Sequence, residues 1–325
     1  MTFLRSGTLW VVLIVLVFAG VLGTALWGYH MAQPGPLQAE KRVVIAAGSG
    51  VNAIAKTLAQ EGVIESSTQF HAAVRLMGLG GTLRAGEYVF PAQFSLRSVV
   101  NMLALGDVAG RRVTIPEGLT VKQIVERLKA TEGVVDDTPT LPAEGTLFPD
   151  TYAYQHGDKL SVLLKRMETR LQEELAKAWA ARHPDVPFAT PQDMLILASM
   201  IEKETGLIDE RARVAGVFIN RLRLNMKLQS DPTVIYGATD YAGNLTTVHL
   251  REPHPYNTYV HRGLPPTPIA NIGTAALMAA AQPEAHNFIF FVADGHGGHA
   301  FAVTYPEHLA NLEKYIKTYK EKHGQ

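Results

Sequence analysis

The feature that most restricts this chain lies near its start. Thr8 to Gly28 reads TLWVVLIVLVFAGVLGTALWG, 21 residues without a charge. That is enough helix to cross a hydrocarbon core of roughly 30 Å. Trp10 stands near one end and Trp27 and Tyr29 at the other, where interfacial aromatics sit. The alternatives are a cleaved signal peptide and a buried core helix. A signal h-region is shorter, about 7–15 residues, and ends in a small-x-small site. Here Tyr29, His30 and Met31 follow where cleavage would fall. Residues 8–28 therefore read as an uncleaved, single-pass anchor preceded by a short cytoplasmic tail, 1–7. Arg5 and the amino terminus precede the anchor, whereas Lys41 and Arg42 follow only beyond Pro34-Gly35-Pro36. Charges nearest the membrane count most, so the N-terminus is expected inside and the bulk of the chain outside.

Composition bounds the remainder. A length of 325 residues suits two or three domains. A 47% hydrophobic and 18% charged content excludes a disordered chain. The 30 basic and 30 acidic side chains cancel, which argues against nucleic acid as a partner. There is no cysteine, so disulfides, thiol nucleophiles and Cys-ligated metal centres are excluded. Neither a Gly-rich phosphate loop nor a G-x-S-x-G elbow occurs, and no cofactor is expected.

Beyond the linker 29–41 the chain repeats itself. Arg42 to Leu58 (RVVIAAGSGVNAIAKTL) and Arg112 to Leu128 (RVTIPEGLTVKQIVERL) lie 70 positions apart and agree at seven of 17 positions. Each reads as a β-branched strand, a glycine turn and an amphipathic helix, followed by Glu-Gly-Val. Between them, Phe70 to Met77 reads as a helix, Gly86 to Phe90 as a strand and Leu96 to Leu105 as a helix. Strand–helix–helix–strand units of this size resemble the LysM-type fold, which binds N-acetylated glycans. A plain spacer or packing module is the competing interpretation of residues 42–110.

A larger domain follows, rich in motifs from Glu144 onward. Asp158 to Trp179 reads as a long amphipathic helix. Thr190-Pro191-Gln192-Asp193 then opens another, with Thr190 as N-cap, Pro191 in the first helical position and Asp193 closing a capping box. Met194 to Ile201 is apolar except for Ser199, so this helix is expected to be buried on nearly all sides. It ends Glu202-Lys203-Glu204-Thr205-Gly206, with Gly206 expected as the left-handed stop. Glu202 stacks above Leu195, Ala198 and Ser199, while Glu204 points roughly the other way, so the two cannot face one cleft. A carboxyl emerging from an apolar wall is desolvated, which raises its pKa toward that of a general acid. The competing role for Glu202 is an ion pair with Arg211, Arg213, Arg221 or Arg223.

Other patches are polar and aromatic. Leu228 to Thr233 (LQSDPT), Tyr256 to Tyr259 (YNTY) and Gly263 to Ile269 (GLPPTPI) offer hydroxyls, amides and flat rings. Sugar sites use such groups, and so do ordinary Pro-rich loops. His296 and His299 in Asp294-Gly295-His296-Gly297-Gly298-His299 raise the question of a metal. Strand-like flanks make this a hairpin turn instead, and no metal site is expected.

Taken in order, these pieces resemble the YceG-like family, the endolytic murein transglycosylases. The matching stretches are Ile115 to Gly118, Glu144 to Tyr152 (EGTLFPDTY), Ala198 to Thr205 (ASMIEKET), LQSDPT, YNTY and GLPPTPI. The resemblance implies an α+β architecture: an N-terminal transmembrane helix, a LysM-like α/β module over 42–110 and a mixed α+β catalytic domain over 111–325. It implies a lyase in the bacterial inner membrane, facing the periplasm, that cleaves the MurNAc–GlcNAc β-1,4 bond of nascent strands and leaves 1,6-anhydroMurNAc ends. Partners would be peptidoglycan, the membrane and cell-wall synthases. The family's catalytic acid falls on Glu202, and Gln229, Asp231, Tyr256, Asn257 and Tyr259 are the expected substrate-positioning residues. A non-enzymatic peptidoglycan-binding scaffold and a muramidase are the alternatives.

Overall fold

The computed structural model describes residues 3–137 and 140–323. It is a mixed α+β protein with an N-terminal apolar helix and three small two-stranded sheets among the described residues. The chain divides into two compact units. The first runs to Arg111 and takes in Tyr154–Gly157; the second comprises Arg112–Ala153 and the chain from Asp158 onward.

The first unit begins with α1 (Phe3–Ala32), whose stretch Trp10–Ala32 is long and apolar enough to cross a membrane. Its large side chains from Trp10 to Leu26 stand exposed. Only its last turns pack on protein: Met31 is buried, and Trp27 lies against the same core. That core fills the space between β1 (Lys41–Ile45), α2 (Val51–Gln60), α3 (Ser67–Leu76), β2 (Gly86–Phe90) and α4 (Leu96–Leu105). β1 and β2 pair antiparallel, Val43 opposite Tyr88. Strand alternation turns Val43 and Ile45 inward, where Ile54, Leu58, Phe70, Tyr88, Phe90, Val99 and Leu103 meet them. Glu87, a carboxylate 2% exposed, is held by the Arg111 guanidinium at 2.6 and 2.8 Å.

All but the first residue of β3 (Arg111–Thr114) and the last of β4 (Thr151–Tyr154), its pairing partner, belong to the second unit, as does α5 (Val121–Lys129). The internal repeat extends to the backbone. Gly48 and Gly118, at equivalent positions, both turn left-handed with φ 79° and 78°, a conformation that favours glycine. The helices that follow start differently. Thr120 and Gln123 close a capping box on α5, whereas Gly50 offers α2 no side chain.

Around α7 (Pro191–Glu204) pack α6 (Leu160–Ala180), α8 (Ile208–Arg223), α9 (Asp231–Gly237) and α10 (Thr274–Ala281). The hairpin β5 (Phe290–Ala293) and β6 (His299–Ala302) follows, then α11 (Tyr305–His323). α7 starts as expected: Thr190 Oγ1 accepts from the Asp193 amide at 3.2 Å and Asp193 accepts from the Thr190 amide at 2.8 Å. All eight residues from Met194 to Ile201 are buried. The exit differs from expectation. Thr205, extended at φ −139°, caps the helix, and Gly206 is not among the left-handed glycines. Buried Thr205 accepts the Leu207 amide on its hydroxyl, so a side-chain turn ends the helix in place of a glycine one.

Candidate active site

The C-terminal turn of α7 sends two carboxylates in different directions. Glu202 meets Arg211 of α8, whose Nη2 donates to Oε1 at 2.8 Å. The Gly273 amide at the start of α10 donates to Oε2 at 3.0 Å. Both side chains are enclosed, 4% exposed for Glu202 and 6% for Arg211. Glu117, from the turn after β3, reaches Arg211 at 3.5 Å. Lys203 donates to the Gly118 carbonyl at 3.1 Å and fastens that turn to α7. Burial raises the Glu202 pKa, and the neighbouring Glu117 adds to it. The Gly273 amide and Arg211 oppose both.

Glu204 occupies different surroundings. Its Oε2 accepts from the Ser230 hydroxyl at 3.0 Å. The carboxyl lines a cavity of about 420 Å³ together with Arg221, Gln229, Asp231, Tyr259 and His299. The aromatic rings of Phe290, Phe291 and Tyr305 complete the wall. Burial pushes the Glu204 pKa up to about 7. Asp231 adds to the rise, while Ser230 and Arg221 oppose it. The residue lines the cavity wall, so a carboxyl whose pKa is pushed up to about 7 is also within reach of a ligand.

Three of the expected positioning residues converge on this cavity. Gln229 stands at φ 50°, an unusual backbone for a side-chain-bearing residue, with its amide on the Thr258 carbonyl. Tyr259 donates to Asp231 at 2.6 Å, and burial followed by that carboxylate raises its phenol pKa. Asp231 opens α9 directly after the Ser230 that holds Glu204. The other two lie elsewhere. Tyr256 packs its ring 4.8 Å from Tyr236 and bonds Thr267 at 3.0 Å. Asn257 is fully buried, donates to the carbonyls of His249 and Glu252, and accepts the Tyr259 amide at 2.9 Å. Its amide builds the loop that presents Tyr259.

Glu144, from the EGTLFPDTY stretch, belongs to neither acid's surroundings. It accepts from the Val121 and Gly145 amides, Asn271 and Tyr236, and burial raises its pKa. It thus ties the start of α5 to the loop before α10.

Sequence reasoning missed the contributions of Ser230, Arg221 and the hairpin. Arg221 faces Glu204, not Glu202, and spends its donors on the Ile289 and Leu228 carbonyls at 2.6 and 2.7 Å. Helical spacing carried a signal for this, since Arg211 and Arg221 lie ten residues apart and emerge at different ends of α8. The hairpin's part had no such signal, because it depends on long-range packing.

Comparison with known proteins bears on the whole arrangement. The YceG-like family matches over residues 43–314. An endolytic murein transglycosylase of Bacillus subtilis is 30% identical over 336 aligned positions, covering 92% of both chains. One of Streptococcus pneumoniae is 25% identical, and the match spans 85% of this chain but 58% of that longer protein. The crystal structure of a yceG-like protein from Listeria monocytogenes superposes with a TM-score of 0.53 at 28% identity, covering 84% of this chain and 99% of that one. With a family match over most of its length, this chain belongs to the YceG-like family.

Proposed function

We propose that this chain is a membrane-anchored peptidoglycan lytic transglycosylase whose acid is Glu204. The observation that carries the proposal is a carboxyl with a pKa of about 7 in a cavity lined by Gln229, Asp231 and Tyr259. The full-length likeness to an endolytic murein transglycosylase of Bacillus subtilis supports the reaction class.

The chemistry needs one acid. Glu204 gives its proton to the leaving O4 as the MurNAc C1–O4 bond breaks and an oxocarbenium-like centre develops. The substrate's own C6 hydroxyl then attacks C1, with the entropic advantage of a tethered nucleophile, and the 1,6-anhydro ring closes as the O6 proton passes to the Glu204 carboxylate, which restores the acid. Water is not consumed. Gln229, Asp231 and Tyr259 position the sugars, and the aromatic walls take their apolar faces. Tyr256 and Asn257 act one step back, by shaping the loops.

A second assignment is favoured by one observation. Glu202 also has a raised pKa, so it is the alternative acid. Its carboxylate, however, is already spent on Arg211 and Gly273.

Around this centre we place residues 8–28 across the bacterial inner membrane, with 1–7 cytoplasmic, 29–41 a linker and the rest periplasmic. Residues 42–110 act as a LysM-like glycan-binding module, supported by the β1-α2-α3-β2 order and its antiparallel strand pair. Residues 111–325 form the catalytic domain, and cell-wall synthases are the partners that supply nascent strands.

Digestion of purified peptidoglycan strands, with product ends read by mass spectrometry, tests the proposal. Anhydro ends lost in Glu204→Gln and kept in Glu202→Gln are expected. The opposite pattern returns the role to Glu202. Reducing ends indicate a muramidase, with Asp231 the nearby second carboxylate. Intact strands with retained binding indicate a scaffold.

A further inference from the structure

The Glu204 cavity contains a second proton-handling group that the single-acid scheme leaves idle. His299, the first residue of β6, lines the same wall. Its Nδ1 lies 2.7 Å from Glu210 Oε2, and its backbone amide donates to Glu210 Oε1 at 2.9 Å. One carboxylate from the first turn of α8 therefore clamps both the ring and the backbone of His299. The ring is further wedged by Phe291 and Phe301, with centroids 5.4 and 6.4 Å away. Side-chain exposure is 17% for His299 and 16% for Glu210, so the pair is largely enclosed but not sealed.

A carboxylate on Nδ1 selects the tautomer with the proton on Nδ1, which leaves Nε2 a lone-pair acceptor. Among the described residues Nε2 has no protein hydrogen-bond partner. A histidine that only braced a hairpin would not need an oriented, unengaged acceptor on a cavity that holds a protonated carboxyl.

We infer that His299 is a second catalytic residue, the base that takes the proton from the substrate's C6 hydroxyl, with Glu210 as its positioning residue. The inference rests on the Glu204 assignment above. As the C1–O4 bond breaks, its electron pair leaves on O4, which takes the proton of Glu204. As the O6–C1 bond forms, the O6 proton moves to His299 Nε2. Each turnover leaves Glu204 ionised and His299 protonated, and transfer of that proton back through cavity water resets the pair. Dividing the roles spares Glu204 from serving both oxygens.

The active form pairs a protonated Glu204 with a neutral His299. Activity therefore falls above about pH 7 as Glu204 ionises.

The test uses the full chain in detergent, with peptidoglycan strands and anhydro-end formation as the readout. His299→Ala is expected to lower kcat by about 10²–10⁴ with little change in KM. Free imidazole restores part of the rate, which a purely structural loss would not allow. Glu210→Gln lowers kcat less, with KM again little changed. A His299→Ala enzyme with kcat within about threefold of wild type overturns the inference. So does a lost rate with no imidazole rescue in both His299→Ala and His299→Gln at unchanged melting temperature. Glu204→Gln assayed in parallel separates the two claims. If it is inactive while His299→Ala is not, only the base is wrong; if it is active, the cavity is not the catalytic centre.

Discussion

Glu202 and Glu204 stand two residues apart on one helix and face opposite fates. Two steps of about 100° carry the second side chain to the far side of α7. On one side Arg211, Glu117 and the Gly273 amide close over Glu202. On the other, Ser230 alone holds Glu204 at the edge of a cavity. Burial raises both pKa values. What separates the acids is room: one carboxylate has its lone pairs committed, and the other lines a cavity beside sugar-compatible side chains. A perturbed pKa therefore marks a functional group only when space for a ligand accompanies it.

The largest expected effect is on turnover. Glu204→Gln should lower the rate of anhydro-end formation by about 10²–10⁴, the span of general acid catalysis. Glu202→Gln should leave it within about tenfold, since it removes a structural pair and no proton donor to substrate. Rates for both variants on one strand preparation check this, and an inverted order breaks the comparison.

The next effect is on stability and runs the other way. Glu202→Gln strands Arg211, 6% exposed, with only Glu117, itself 44% exposed, as counter-charge. Losing one partner of an enclosed pair costs about 3 kcal/mol. Chemical unfolding of the second unit's transition should register a loss of that order, and a change too small to resolve would mean that solvent reaches the pair.

Much of α7 was legible beforehand because its signals are local. The Thr190-Pro191-Asp193 start, the buried run to Ile201 and the divergence of the two acids follow from helical geometry and capping chemistry. The duplicated strand–glycine–helix unit was legible for the same reason. The choice between the acids was not. It depends on Gly273 lying 71 residues from Glu202 and on Ser230 lying 26 residues from Glu204, distances that no local pattern spans. Asn257 shows the converse limit: its polar side chain in an aromatic loop suggested substrate contact, yet burial among carbonyls commits it to the backbone.

A pH-dependent effect sharpens the contrast further. The Glu204 carboxyl has a folded pKa of about 7, above its unfolded value of about 4.3. Between those values the unfolded chain has lost its proton while the folded chain retains it. Stability therefore falls as pH rises through that window and levels off above about 7. Glu204→Gln removes the titration, so its advantage over wild type should be negligible at pH 4 and reach at most about 4 kcal/mol at pH 8. Melting temperatures of both proteins across that range are the measurement. Parallel curves would show that the Glu204 carboxyl is not held protonated by its surroundings.

The smallest effect concerns how the chain leaves α7, because that exit fixes where each acid points. Thr205 ends the helix in extended backbone and Gly206 is not left-handed. A methyl group added at Gly206 would meet nothing within 4 Å. Gly206→Ala should then be neutral or stabilise by about 0.4–1 kcal/mol, through lost freedom in the unfolded chain. Gly118→Ala, at φ 78°, should destabilise by more than that, because its backbone conformation is one that alanine resists. If instead Gly206→Ala weakens the fold and scrambles the activity ranking of the two acids, the helix ends on a left-handed glycine. The separation of Glu202 from Glu204 would then hinge on that residue's backbone, not on the Thr205 hydroxyl.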